Sequence, residues 1–419
     1  MKQLFALCCS LLLVACGGQN TTENDPTKPF RCHIEGVVIN RPESKVLELY
    51  PHIDGEAAVS SRPIAEIEIH DGRFQYDLAL DHADYCTLSF AEEKQRGSWF
   101  PIQFIADGDT VRLTLYPSGR EHEHRIEGSG ATAEFQAYKE QLNALSDTFN
   151  RQADSLEACG AYDSERYAAL IRRIEATEQG SEAHLALIKE VQAMSREEMM
   201  TPAARALRAD YEAKRKATLI ALLDHEPTLA RYALLAEQMQ YRLPDSEVLD
   251  LYYRHYADAL TDHYLSAYCQ RQLSGLQLKI GSSYIDFEAP DVEGTMHRLS
   301  ALIEGAELTL LDLWASWCGP CRRASMEMMP LYAQYQDRGF KVIGVARESH
   351  DLKALRRAIR QDGYAWPQLV ELDDRIHLWS QYGCNNAAGR RFLIDKAGVI
   401  IAIDPTIEEL TAAVESVCN

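Results

Sequence analysis

The sequence predicts a multidomain protein with an N-terminal all-β sandwich or barrel, a central α-helical region and a C-terminal α/β domain. Residues 30–128 carry short β-rich segments separated by turn sequences such as HDGR, ADGD and PSGR. Residues 131–276 are dominated by Ala, Leu, Glu, Arg and Gln, with apolar side chains at helical spacing. Residues 279–419 alternate strand-like and helix-like segments.

Length and charge limit the functions that fit this chain. Its 419 residues allow several domains, each able to bury its own core. The formal net charge of −20 disfavours a nucleic-acid backbone as partner and favours a solvated surface. We therefore expect no nucleic-acid partner.

The N-terminus, MKQLFALCCSLLLVACGGQN, has the pattern of a secretory signal over residues 1–15. Leu13-Val14-Ala15-Cys16 resembles the lipobox of bacterial lipoproteins, which implies cleavage before Cys16 and lipidation of its thiol. Residues 16–29 are polar and turn-rich, as in a tether. Acyl chains contribute about 0.8 kcal/mol per buried methylene, so we expect a cell-envelope protein anchored in the lipid of the inner or outer membrane, facing the periplasm or the cell surface. A plain signal peptide with an incidental cysteine is the alternative.

The elements of the first two regions follow from pattern. The strand-like segments of residues 30–128 are HIEGVVIN, KVLELYP, AEIEIH, RFQYDLAL, YCTLSF, IQFI and VRLTLYP. Helical spacing over residues 131–276 is clearest in EFQAYKEQLNALSDTF, SERYAALIRRIEA and ARYALLAEQMQ, which predicts an antiparallel helical domain or spacer.

The elements of residues 279–419 alternate in type. LTLLDLWA predicts a buried strand and Gly319 to about Asp337 a helix; KVIGVAR then predicts a strand and DLKALRRAIRQ a helix. WPQLVEL, RFLID and VIIAID follow as strands. Thr406 and Glu409 have capping-box spacing and begin the last helix.

The motif WASWCGPCR, residues 314–322, places two cysteines two residues apart. A zinc site needs two further ligands, and none lies near in sequence. The spacing also fits a plain structural disulfide or a redox pair. The redox interpretation has a mechanism, because Cys318 at a helix N-terminus is stabilised as a thiolate and Cys321, one turn inside, can resolve a mixed disulfide. Pro320 fits an early helical position. The sequence predicts no metal and no cofactor.

Asp312 is the second informative residue. It interrupts an apolar run that predicts a strand buried on both faces. A buried carboxylate tends to protonate, and six residues before Cys318 it can exchange a proton with Cys321. A solvent-facing strand position is the alternative.

Five segments of residues 279–419 carry a family resemblance: WASWCGPCR, LLDLWA, RGFKVIGVA, YAWPQL and FLIDKAGVIIA. In these segments the domain resembles the thioredoxin-like proteins of the TlpA/ResA group. The front region resembles more weakly the β-domain of unknown function that precedes such domains in Bacteroidetes-type lipoproteins. The resemblance implies thiol–disulfide exchange outside the cytoplasm, as a reductant of protein disulfides fed by a membrane thiol reductase, with cytochrome c maturation as one role. It assigns Cys318, Cys321 and Asp312 as catalytic, with Trp317, Gly319 and Pro320 completing the active-site motif.

The chain departs from the family at the substrate-binding loop. The family has a cis-proline before the FLID-type strand, whereas Ala388 and Gly389 occupy this stretch, and we expect a trans bond between them because a non-proline cis bond costs about 3 kcal/mol. Ala324 replaces an acidic residue that the family often has three positions after the second cysteine, which gives Asp312 more weight.

Eight cysteines lie beyond Cys16. Besides the motif pair, Cys32 with Cys86 and Cys384 with Cys418 are candidate bridges; Cys384 is also a candidate third exchange thiol. A peroxiredoxin needs a lone peroxidatic cysteine after Pro and Thr, which this motif lacks. The alternative function is a cell-surface binding lipoprotein in which the CGPC pair is vestigial or structural.

Overall fold

The computed structural model describes residues 30–51, 63–95, 100–128, 130–240, 243–384 and 389–418. The predicted signal peptide, the tether and Cys16 lie outside these residues. Within them the three predicted regions are confirmed, since β-structure, helices and an α/β domain follow one another along the chain.

The N-terminal region is a β-sandwich. Its strands are β1 (Phe30–Val38), β2 (Val46–Pro51), β3 (Ala65–Glu68), β4 (Arg73–Leu80), β5 (Asp84–Phe90), β6 (Ile102–Ala106), β7 (Thr110–Leu115) and β8 (Arg125–Glu127), with helix α1 (Ala91–Gln95) after β5. One sheet has the order β4-β1-β7-β8 and the other β3-β2-β5-β6. Apolar side chains of both sheets form one core, as alternation along the strands predicts. Strand β8 is too short to be seen in the sequence pattern.

The central region is helical. Its helices are α2 (Gly130–Ala158), α3 (Glu165–Glu175), α4 (Glu182–Gln192), α5 (Arg196–Met199), α6 (Pro202–Leu223), α7 (Leu229–Gln238), α8 (Ser246–Leu251) and α9 (Tyr264–Leu276). Most begin at a Ser or Thr whose hydroxyl accepts an N–H of the first turn, as at Ser164, Ser181 and Thr201. In the part of the chain that the structure describes, no helix is both long and apolar enough to cross a bilayer.

The sandwich packs directly on the helices. The side chains of Tyr85 and Ile105 do not pack in the sandwich core but in the core of the helical region. The Ile105 backbone N–H donates to the Thr132 hydroxyl at 3.2 Å, and the His263 ring contacts the Ala83 carbonyl oxygen at 2.9 Å. The two regions therefore share apolar surface and buried hydrogen bonds.

The C-terminal region is an α/β domain around one sheet of order β13-β12-β11-β14-β15. Its strands are β9 (Glu288–Pro290), β10 (Met296–Arg298), β11 (Leu308–Trp314), β12 (Phe340–Glu348), β13 (Gln368–Leu372), β14 (Arg391–Asp395) and β15 (Ile400–Ile403). Strands β11, β12 and β13 are parallel, whereas β14 and β15 are antiparallel to their neighbours. This mixed sheet fits the predicted thioredoxin-like fold.

Helices cover the sheet on both sides, so β11 is buried along its whole length. They are α10 (Leu299–Ile303), α11 (Gly319–Tyr335), α12 (Lys353–Asp362), α13 (Leu378–Gln381) and α14 (Ile407–Val417). The capping box that begins α14 is confirmed, with Thr406 and Glu409 each bonding the other's backbone N–H. Pro330 lies inside α11.

The helical region meets the α/β domain at a close backbone approach. Gly275 of α9 lies so near α13 that a Cβ added to it would be 2.1 Å from the Ser380 carbonyl oxygen. Gly383 has a φ of +65° and lies against the Gly275 backbone. Two glycines thus allow contact that side chains would prevent.

Replacing Gly275 should loosen this contact. We expect Gly275→Ala to lower the free energy of unfolding by about 1–3 kcal/mol, because the new methyl group overlaps backbone atoms that cannot rotate away. Denaturant unfolding measures the change. Ser274→Ala on the exposed side of the same helix is the control, and equal stability of the two variants would contradict the packing.

Candidate functional site

The two motif cysteines lie where β11 ends and α11 begins. Cys318 precedes the first residue of the helix and is 5% exposed, whereas Cys321, in the first turn, is half-buried. The structure joins them by a disulfide bond with a Cα–Cα distance of 5.3 Å. Gly319 and Pro320 are exposed, and the Trp317 side chain is 62% exposed. The motif therefore presents apolar and backbone surface beside the disulfide.

The helix N-terminus directs an N–H group at the first sulfur. The Cys321 backbone N–H donates to Cys318 Sγ at 3.3 Å, and the Cys318 N–H donates to the Ala315 carbonyl oxygen at 3.0 Å. Pro320 has no N–H, which costs nothing in the first turn. After reduction, the same N–H and the helix dipole stabilise a thiolate at Cys318.

A buried glutamate holds the loop before the cysteines. Glu348, the last residue of β12, accepts hydrogen bonds at 2.8 Å from both the backbone N–H and the hydroxyl of Ser316. Burial raises the pKa of Glu348, while the two hydrogen bonds from Ser316 lower it. The adjacent carboxyl ends of the parallel strands β11 and β12 bring the two residues together. No sequence signal marks Glu348, which is the last residue of a mostly apolar strand.

Asp312 is buried in the middle of the sheet, only 3% exposed, which excludes the solvent-facing alternative. It lies on the same face of β11 as Leu310 and Trp314. These two residues belong to an apolar core against which Cys321 also packs. Burial raises the pKa of Asp312 to about 6, although the Ser325 hydrogen bond and the charge of Arg391 lower it. The carboxyl group therefore titrates close to neutral pH, as a proton donor and acceptor should.

Ser325 connects the carboxylate to the cysteine helix. Its hydroxyl donates to Asp312 Oδ2 at 2.7 Å and lies 3.1 Å from the Cys321 carbonyl oxygen. The residue is buried and lies four positions after Cys321, so the helical turn directs its side chain towards the sheet. In the sequence it is one serine among apolar residues, with no motif to identify it.

Gly389 lies against the strand that leads to the motif. A Cβ added to it would be 1.6 Å from the Leu313 carbonyl oxygen, so a close approach requires glycine here. The next residue, Arg390, accepts the Leu313 N–H at 2.9 Å through its carbonyl oxygen. Ala388, and with it the expected trans bond, lies outside the described residues. The structure thus brings the second half of the predicted loop to the end of β11.

The candidate bridges outside the motif are wrong. Cys32 and Cys86 are both free, and Cys32 Sγ instead donates to the Asp109 carbonyl oxygen at 3.0 Å. Cys384 and Cys418 likewise do not bridge each other, because they pack in cores on opposite faces of the sheet. Spacing in sequence could not show on which face each thiol would lie.

The chain is similar to known proteins over its C-terminal third. Residues 280–403 match the AhpC/TSA family, a thioredoxin-fold family. A thiol-disulfide oxidoreductase ResA of Geobacillus thermodenitrificans is 31% identical over 141 residues, which cover 33% of this chain and 78% of the relative. A thiol:disulfide interchange protein DsbE of Allochromatium vinosum is 30% identical over 135 residues, 30% of this chain and 71% of the relative. The solved structure of a thiol-disulfide oxidoreductase from Bacteroides fragilis is 27% identical and covers 32% of this chain and 98% of that one, with a TM-score of 0.30.

The raised pKa of Asp312 predicts how stability depends on pH. Below about pH 4 the carboxyl group is protonated in both the folded and the unfolded protein, so its burial buries no charge and costs no stability. As pH rises to 6 the unfolded chain releases the proton first, and stability is lost. We expect Asp312→Asn, with the disulfide intact, to gain roughly 2–4 kcal/mol of stability relative to the parent between pH 4 and pH 8.

Denaturant unfolding at both pH values measures this difference. Asp337→Asn, which changes a carboxyl group on the exposed turn after α11, is the control and should show no comparable gain. A gain for Asp312→Asn that is the same at pH 4 and pH 8 would contradict the buried, titrating carboxylate.

Proposed function

Because the chain belongs, through its C-terminal domain, to the ResA-like family of thiol-disulfide oxidoreductases, we propose that it exchanges disulfides with protein substrates through Cys318 and Cys321. One observation carries the proposal: the two cysteines form a disulfide at a helix N-terminus, with a backbone N–H directed at Cys318 Sγ. The exposed Trp317, Gly319 and Pro320 offer a surface for a substrate backbone.

The reaction begins with the reduced pair. The Cys318 thiolate attacks one sulfur of a substrate disulfide, and the other substrate sulfur leaves as a thiolate. Asp312 then takes the proton of the Cys321 thiol, and the new thiolate attacks Cys318 Sγ. The substrate leaves as two thiolates, which take up protons from water, and the protein keeps the disulfide that the structure contains. Two electrons have passed to the substrate, and a thiol reductase of the membrane returns them.

The order of attack rests on the helix N-terminus. As a whole residue Cys321 is more exposed than Cys318, so exposure by itself favours the opposite order. The N–H donated to Cys318 Sγ and the position before the helix favour a thiolate at Cys318. Cys321 packs instead against the core that contains Leu310 and Trp314. The Ser325 hydroxyl lies between the Cys321 carbonyl oxygen and Asp312 Oδ2.

The place of action follows from the N-terminal sequence. We propose that lipidated Cys16 anchors the protein in the cell envelope, on the inner or outer membrane, and that residues 17–29 form its tether. Reduction of protein disulfides there, with cytochrome c maturation as one role, is the activity that the family resemblance favours. Substrate affinity is then set by the motif surface and by the loop at Ala388 and Gly389.

Single cysteine variants test the chemistry and the order of attack. We expect Cys318→Ala to lose disulfide reduction, since no thiolate remains at the helix N-terminus. Cys321→Ala should accumulate a mixed disulfide at Cys318, because the resolving thiol is missing. Mass spectrometry of the tryptic peptide Leu299–Arg322, which contains both positions and no other cysteine, measures each adduct.

Cys384→Ala is the matched control, because that thiol is also buried in the same domain but lies outside the Cys318–Cys321 disulfide. It should react like the parent. Full turnover by Cys318→Ala would contradict the proposed function, and trapping by Cys318→Ala rather than Cys321→Ala would reverse the order of attack.

A further inference from the structure

Helix α12 has a basic face that the proposed chemistry does not use. Four of its ten residues are lysine or arginine. All four are exposed, and their spacing places them on one side of the helix: Lys353, Arg356, Arg357 and Arg360. On the opposite side, Leu355 and Ala358 are buried in the same core as Met328 of α11. The two helices therefore lie on the same face of the sheet, with the basic side of α12 towards solvent.

Hydrogen bonds hold the end of α12 beside the cysteine motif. Arg322, the residue after Cys321, donates from Nε and Nη2 to the two carboxylate oxygens of Asp362 at 2.6 Å each. Its Nη1 also donates to the Ser316 carbonyl oxygen at 3.4 Å. Asp362 is the only carboxylate of α12, and Arg322 neutralises it. The last turn of α12 thus lies next to the start of α11, and its arginines keep their charge.

Arg323 adds a further positive charge at the motif itself. Its side chain is exposed and lies back along the first turn of α11. The Arg323 Nη1 atom is 3.6 Å from the position of a Cβ added to Gly319. Because Gly319 directly follows Cys318, this guanidinium group lies beside the loop that the disulfide closes.

Three of these cations make no ion pair or side-chain hydrogen bond with any residue that the structure describes: Arg323, Arg357 and Arg360. These three residues form the basic patch. The other two cations of α12 are engaged, since Lys353 pairs with Asp351 at 3.0 Å and Arg356 donates to a backbone carbonyl oxygen of the loop between β9 and β10. The patch therefore has free guanidinium groups, which are suited to bidentate contacts with carboxylates.

The basic patch is an exception in an acidic chain. A net charge of −20 repels an acidic partner from the protein as a whole, whereas the patch attracts it to the neighbourhood of the disulfide. Repulsion elsewhere and attraction here together orient the partner. Anionic lipid could use the same charges, but a protein partner is favoured because the patch borders the motif, where a bound protein can present its own disulfide to Cys318.

We propose that the basic patch docks an acidic segment of the protein whose disulfide is reduced at Cys318, which deepens and rests on the proposed function. Carboxylates of the partner pair with Arg357 and Arg360 on α12 and with Arg323 on α11. The partner's disulfide then lies over the start of α11. Because the patch is exposed, its contribution is to the rate of association and decreases as salt screens the charges.

Three synthetic peptides serve as probes, each with the same intramolecular disulfide followed by a tail of Glu, Gln or Lys. The reduced full chain is mixed with one probe, and two electrons pass from its cysteine pair to the probe disulfide. Acid quenching at timed intervals and mass spectrometry of the tryptic peptide Leu299–Arg322 give the rate at which the pair is oxidised.

We expect the Glu probe to react about tenfold faster than the Gln probe at an ionic strength of about 0.01 M. The preference should largely disappear at about 1 M, where the Debye length is about 3 Å. The net charge of the chain alone predicts the opposite order, in which the Lys probe reacts fastest.

Reversing two charges of the patch tests its position. Arg357→Glu combined with Arg360→Glu should make the Lys probe react faster than the Glu probe, a gain that a misfolded variant could not show. Arg172→Glu combined with Arg173→Glu, on the exposed side of α3 in the helical region, is the matched control. It changes the net charge by the same amount away from the motif and should keep the preference for the Glu probe.

The proposal is overturned if the parent reacts equally fast with the Glu and Gln probes, or fastest with the Lys probe. Equal effects of the two double variants would also overturn it, because the net charge would then explain the rates. Binding of the parent to phosphatidylglycerol vesicles through Arg357 and Arg360, without a preference for the Glu probe, would assign the patch to lipid instead. Failure of the parent to reduce any of the three probes would refute the proposed function itself.

Discussion

The burial of β11 is the constraint on which the C-terminal domain depends. Every residue of Leu308–Trp314 is buried between β12 and β14, so the strand cannot shift without disturbing both neighbours. It ends at the cysteine motif and thereby fixes where α11 begins. It also carries Asp312 into the core, where the carboxyl group loses its hydration and titrates near neutral pH. The position of the disulfide and the raised pKa of Asp312 are thus consequences of one buried strand.

Polar contacts then tie the motif to the rest of the domain. Glu348 holds Ser316 before the cysteines, and Ser325 holds Asp312 after them. Gly389 closes the other side by lying directly on the Leu313 backbone. The site is therefore supported from β12, α11 and the start of β14 at once, which restricts the movement of the two bonded sulfurs. The contact between Gly275 and α13 joins this framework to the helical region, and the helices in turn pack on the sandwich.

Much of the fold could be predicted because it depends on local pattern. The alternation of strand residues, the helical spacing of apolar residues and the Thr406 capping box all depend on residues that are close together in the sequence. The motif around Cys318 is specific to the family that the domain resembles. Ser325 and Glu348 could not be predicted, since each becomes informative only through a neighbour distant in sequence. The same reason explains why the predicted bridge between Cys384 and Cys418 is wrong. The spacing of the two residues in the sequence does not show that they lie on opposite faces of the sheet. Strand β8 could not be predicted either, because three residues show no period.

The reduction potential of the Cys318–Cys321 pair in the full chain tests the central claim most directly. The protein is equilibrated in redox buffers and quenched, and the oxidised fraction is measured in peptide Leu299–Arg322. We expect one reversible two-electron transition near or below about −250 mV, in the range of thioredoxin, as a reductant requires. A value near about −120 mV would instead describe a disulfide donor. A pair that does not titrate reversibly would contradict the account and favour a binding lipoprotein whose CGPC pair is structural.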